Sequence, residues 1–73
     1  MLMSLTPTQI RVLYWLAKGR TVKEITMLLC VSRRTITSHI SSAKWRLGAH
    51  SRDETVALAV KGGLLEINIE TLA

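Results

Sequence analysis

Residues 32–47 read SRRTITSHISSAKWRL. At about 100° per residue, Ile36, Ile40, Ala43 and Leu47 fall within a narrow arc, so this stretch predicts a helix with one apolar stripe. Arg34, Ser38 and Ser41 take the opposite face, Thr37 and Lys44 its shoulder, and Trp45 lies almost opposite the stripe. Ser32 is the expected N-cap, because its hydroxyl can accept from a first-turn amide that has no helical partner. Gly48 stops the helix.

The first turn breaks a local rule. Arg33 and Arg34 stand at the positive end of the helix macrodipole, where like charge costs on the order of 0.3 to 1 kcal/mol, and no acid lies between Arg33 and Arg46. An anion docked there reverses the sign, whereas the plainer reading is a solvated basic face.

Upstream, Leu5-Thr-Pro-Thr-Gln-Ile10 combines an N-cap (Thr6), proline at the first helical position, a capping box closed by Gln9 and a Leu5/Ile10 staple. It predicts a helix over about 7–18, with Val12, Leu13, Leu16 and Ala17 inward. Gly19 ends it. A second box, Thr21-Val-Lys-Glu24, opens a short helix over 22–29 that buries Ile25, Leu28 and Leu29. Only Cys30 and Val31 separate that helix from Ser32, and two short helices joined this tightly form a helix-turn-helix. Downstream, Ser51-Arg-Asp-Glu54 starts a fourth helix over about 52–61, closed by Gly62-Gly63, and here Asp53 and Glu54 sit where the dipole favours negative charge. The expected fold is therefore all-α, a four-helix bundle containing a helix-turn-helix, with a domain over 1–65 and a tail over 66–73.

Composition narrows the function. Seventy-three residues make one small domain with a thin core and no enclosed cleft. No apolar run approaches a membrane span and no signal peptide is evident. The single cysteine excludes an internal disulfide and suits a reducing compartment. The net charge of +5 favours a polyanionic partner. It is uneven, because residues 11–46 carry eight Lys or Arg against Glu24 alone, whereas 49–73 carry two bases against four acids.

The order of these pieces resembles the LuxR/GerE type (LuxR/FixJ) of bacterial helix-turn-helix domain over residues 5 to about 65. The resemblance is carried by LTP at 5–7, VL at 12–13, LAKG at 16–19, KEI at 23–25, LCVS at 29–32, T-I-x-x-H at 35–39, RLG at 46–48 and SRDE-x-VA at 51–57. It implies a cytoplasmic, nucleoid-associated transcription factor that binds two-fold double-stranded DNA as a homodimer through helix 52–61, without catalytic activity or cofactor. Position by position, it implies base reading by Thr37, Ser38 and Ser41, with the 33–47 helix in the major groove. It implies phosphate contacts around Thr21, Val22, Lys23, Ser32 and Thr35, to which charge adds Arg33, Arg34 and Lys44. His39 matches the family histidine on the flank of the helix. The expected dimer face is Thr55, Leu58, Ala59 and Gly62. Three positions depart from the family pattern. Thr37 replaces a commonly longer polar or basic side chain and cannot make the bidentate contact that reads guanine, which shifts weight to shape and phosphates. Arg33 and Arg11 stand where glutamate is usual, and both strengthen the basic field.

Other chemistries fit poorly. Cys30 lacks a resolving partner and reads as structural. His39, His50 and one cysteine do not give a zinc site, and no serine has a base and oxyanion arrangement. Ile10 and Tyr14 are expected on the outer side of the first helix as a possible surface for a second regulator, and with an exposed Leu58 and the reduced base-reading side chains they motivate a rival reading: a protein-interaction module that pairs with a related regulator and modulates it without binding DNA. An initiator methionine just before the first helix signal favours a stand-alone protein over a fragment of a longer regulator.

Overall fold

A computed structural model describes residues 5–63 and 65, and the expected tail over 66–73 lies outside the described residues. Among the described residues there are four helices and no strand: α1 (Pro7–Ala17), α2 (Val22–Leu29), α3 (Arg33–Leu47) and α4 (Arg52–Lys61). Each begins where its cap requires. The Gln9 amide donates to Thr6 Oγ1 at 3.1 Å while the Thr6 amide donates to Gln9 Oε1 at 3.0 Å. Thr21 and Glu24 repeat this exchange at 3.1 and 2.9 Å. Lys18 caps α1 rather than extending it, since its amide turns back to the carbonyls of Tyr14 and Trp15. Gly48 takes the left-handed φ of +68° that reverses the chain after α3.

The core has two parts that share α1. Val12, Ile25, Ile36 and Ile40 close α1 against α2 and α3. Leu13, Tyr14, Ala43, Ala59 and Leu65 close it against α3 and α4. The stripe expected on α3 is present, with Ile36, Ile40 and Ala43 buried and Leu47 half-buried.

Two neighbours on different flanks of α1 explain the corrections to its expected faces. Tyr14 is buried, and Ile10 is half-buried against the same cluster, so neither forms an outer surface for a second regulator. The Tyr14 ring meets Trp15 edge-on at 5.0 Å and is covered by the Lys18 ammonium at 5.5 Å. Leu16 is half-buried and Ala17 exposed, because the helix turns toward α4 and not only toward α2. On α2 the reverse holds. That helix is buried along one narrow stripe, Ile25 flanked by half-buried Val22 and Leu29, so Leu28, expected inside, stands exposed beside Met27.

Candidate nucleic-acid interface

The turn between α2 and α3 is three residues long and depends on Cys30, whose φ of 57° is left-handed. Such a conformation costs a non-glycine residue roughly 1 to 2 kcal/mol, and it swings the chain so that Ser32 can cap α3. Cys30 is exposed. Ser32 Oγ accepts from the Thr35 amide at 3.1 Å and lies 3.0 Å from Thr35 Oγ1, so these two hydroxyls hold each other.

That geometry leaves amides open at both helix starts. The capping bonds occupy Glu24 N–H and Thr35 N–H. The amides of Val22, Lys23, Arg33 and Arg34, in the first two positions of α2 and α3, have no acceptor among the described residues. Lys23, Ser32 and Arg33 line one shallow concavity of about 390 Å³ with Thr26 and Val31. Thr21, Val22 and Arg33 line a second, of about 520 Å³, with Arg20, Arg52 and the carboxylate of Asp53. Open amides with three guanidiniums against one carboxylate, Asp53, leave a net positive surface that suits an anion.

The residues expected to read bases are Thr37, Ser38 and Ser41, and all three are exposed on the outer face of α3. Thr37 is constrained: its hydroxyl donates back to the carbonyls of Arg34 at 3.0 Å and Arg33 at 3.2 Å. Its proton is thereby committed to the backbone, leaving a methyl and an acceptor lone pair outward. Of the expected phosphate residues, Lys23, Ser32, Arg33 and Arg34 are exposed, while Val22, Thr35 and Lys44 are half-buried. Val22 packs on the core and therefore offers only its amide.

The expected dimer face needs correction. Thr55 and Ala59 are fully buried within the chain, Thr55 with its hydroxyl donating to the Ser51 carbonyl at 2.7 Å. Ala59 packs with Leu13 and Tyr14 of α1 and Ala43 of α3, and neither residue is available to a partner. Leu58 is half-buried and Gly62 exposed, and Val60, 48% exposed, is a large apolar side chain of α4 that periodicity alone had not singled out. Arg20 and Arg52 were likewise missed as neighbours of the α2 start, although the charge excess was their signal. Among the described residues no group of three or more His, Cys, Asp or Glu is placed to hold a metal ion. No helix there is long and apolar enough to cross a membrane.

At the start of α4, Glu54 Oε1 accepts from the His50 amide at 2.6 Å and meets its ring Nδ1 at 3.3 Å. That backbone bond, aided by the ring, holds the Glu54 carboxyl below its ordinary value.

Four short helices with a tight, capped α2–α3 turn and a basic outer face on α3 define a helix-turn-helix module. Residues 3–59 match the bacterial regulatory proteins of the luxR family (GerE), and the chain belongs to that family. It is 38% identical over 63 residues to the HTH-type quorum sensing-dependent transcriptional regulator RpaR of Rhodopseudomonas palustris, covering 86% of this chain and 26% of that protein. It is 42% identical over 64 residues to the transcriptional regulatory protein YdfI of Bacillus subtilis, covering 88% of this chain and 30% of that protein. Its fold is similar to a chain of the phage VqmA–DPO complex, with a TM-score of 0.80 and 32% identity over 89% of this chain and 30% of that one. The chain thus spans about a quarter to a third of the length of these relatives, and what it spans is the family's DNA-binding domain.

Proposed function

We propose that this chain binds double-stranded DNA sequence-specifically as a homodimeric transcriptional regulator, with α3 in the major groove. The observation that carries the reading is the pair of open helix starts. Four amides without an acceptor among the described residues stand with Lys23, Arg33 and Arg34; Glu24 at the α2 start is engaged on the Thr21 amide, and α3 carries no carboxylate. Thr37, Ser38 and Ser41 face base edges with short hydroxyls, so each contributes at most a single hydrogen bond or a methyl contact, and phosphates carry much of the affinity. One such module buries only about 600 to 1,000 Å² on DNA, which makes a monomer a weak binder. Pairing through Leu58, Val60 and Gly62 of α4 supplies the second half-site.

The test is selection from a pool of random duplexes near physiological salt, followed by titration of the recovered site. The expected result is a two-fold motif, lost when Lys23→Ala and Arg34→Ala are combined. Each phosphate contact removed should flatten the slope of log affinity against log salt by about 0.9, and a Ser41 substitution should change sequence preference more than that slope. Retention without any motif would reduce the proposal to backbone binding, and no retention would overturn it. The rival of a purely protein-directed module loses Tyr14, which lies inside the core, and much of Ile10 and Leu58, which are half-buried.

A further inference from the structure

Trp45 is 86% exposed, the most exposed large apolar side chain among the described residues. It follows Ser41 by four residues and Ser38 by seven, so at 100° per residue it lies within about 40° of both, and of Arg34, on the outer face of α3. It therefore extends the face assigned to base reading toward the C-terminal end of the helix. With a rise of about 1.5 Å per residue, Trp45 stands about 12 Å beyond Thr37 along the axis, comparable to the width of the major groove.

The surroundings of the ring are those of a nucleic-acid strand's partner. Lys44, Trp45, Gly48, Ala49 and His50 line a concavity of about 410 Å³. Gly48 contributes no side chain there, and a Cβ at that position would meet nothing within 4 Å. The nearby carboxylate, Glu54, is engaged on the amide and ring of His50. The rest of the face consists of Ser38, Ser41, Ser42 and Arg34, so Trp45 is a single aromatic among hydroxyls and cations, not part of the contiguous apolar patch that a protein partner would bury.

We infer that Trp45 packs its ring on a deoxyribose of the strand that walls the major groove, with Lys44 beside the adjoining phosphate. The contact anchors the C-terminal half of α3 as Arg33 and Arg34 anchor its start. It supplies apolar affinity to a reading face that is otherwise hydroxyl-rich. The inference rests on the DNA-binding reading above.

The experiment uses the full chain and the duplex recovered by selection. Trp45→Ala should weaken binding about tenfold, in the range of an aromatic anchor, with the salt slope unchanged. Trp45→Phe should bind within about twofold of the wild type, since the ring's apolar body is kept. DNA should change the tryptophan emission of the wild type, and that change should vanish in Trp45→Phe, which leaves only Trp15, half-buried against both parts of the core. Unaltered affinity in Trp45→Ala overturns the contact, as does an emission change that persists in Trp45→Phe. A salt slope flattened by about 0.9 in Trp45→Ala would indicate a lost phosphate contact and overturn it equally. A wild type that binds no duplex defeats the DNA reading itself, whereas a wild type that binds and a Trp45→Ala variant that matches it defeat only this contact.

Discussion

The starts of α3 and α4 are built alike and finished differently. Ser32 accepts from Thr35 N–H and Ser51 accepts from Glu54 N–H, both at 3.1 Å. After the cap, α4 continues with Asp53 and Glu54, and the Glu54 carboxylate gathers the His50 amide. α3 continues with Arg33 and Arg34 and no acid at all. Both starts leave their first two amides without an acceptor among the described residues, Arg33 and Arg34 in α3 and Arg52 and Asp53 in α4, so the contrast is one of charge: carboxylates stand at the α4 start and guanidiniums at the α3 start. The first turn of α3 is thus stabilised less than an acidic one would be, which is what the proposed anion contact would offset.

The largest test of this contrast reverses the charge. Arg33→Glu with Arg34→Glu should lower DNA affinity at least about a hundredfold, because phosphate attraction becomes repulsion. The same change should stabilise the free domain by roughly 0.3 to 1 kcal/mol per position, because the dipole is now matched. Binding titration and thermal unfolding of one protein read both effects. A variant that loses binding and stability together would mean that the arginines hold the fold and do not await a ligand.

A smaller effect separates the two caps. Ser32→Ala and Ser51→Ala should each cost about 1 kcal/mol, or roughly 4 to 8 °C in Tm for a domain of this size. Only Ser32→Ala should also weaken DNA binding beyond its effect on folding. Equal binding by both variants, once corrected for the folded fraction, would remove Ser32 from the interface.

The smallest effect is in acid. The folded-state pKa of Glu54 is lowered, so its contribution is present above the ordinary carboxylate value and is lost as pH falls through the lowered one. Between pH 7 and 3, Tm should therefore fall more in the wild type than in Glu54→Gln. No carboxylate on α3 titrates in that window. Parallel pH profiles for the two proteins would show that the His50 contact adds no stability.

Much of this molecule was legible along the chain. Helix starts are local chemistry, in which a hydroxyl and an amide three residues apart either meet or do not. Thr6, Thr21, Ser32 and Ser51 therefore announced all four elements, and only the end of α1 moved by a residue. The outer face of α3 was legible for the same reason, since a helix with one apolar stripe has one opposite side. What periodicity could not supply was the number of neighbours each helix has. Tyr14 looked external because Val12 and Leu13 already marked an inner face, yet α4 covers the other flank of α1. Leu28 looked internal although its helix is buried along one stripe only.

Sequence by itself determined the helices, their caps, the basic outer face of α3 and the family, because each is written in residues within a few positions of one another. Tertiary packing alone decided that Tyr14, Thr55 and Ala59 lie inside and that Arg20 and Arg52 join the α2 start. Burial depends on which surfaces meet across the chain, and that is a property of the assembled bundle and not of any one helix.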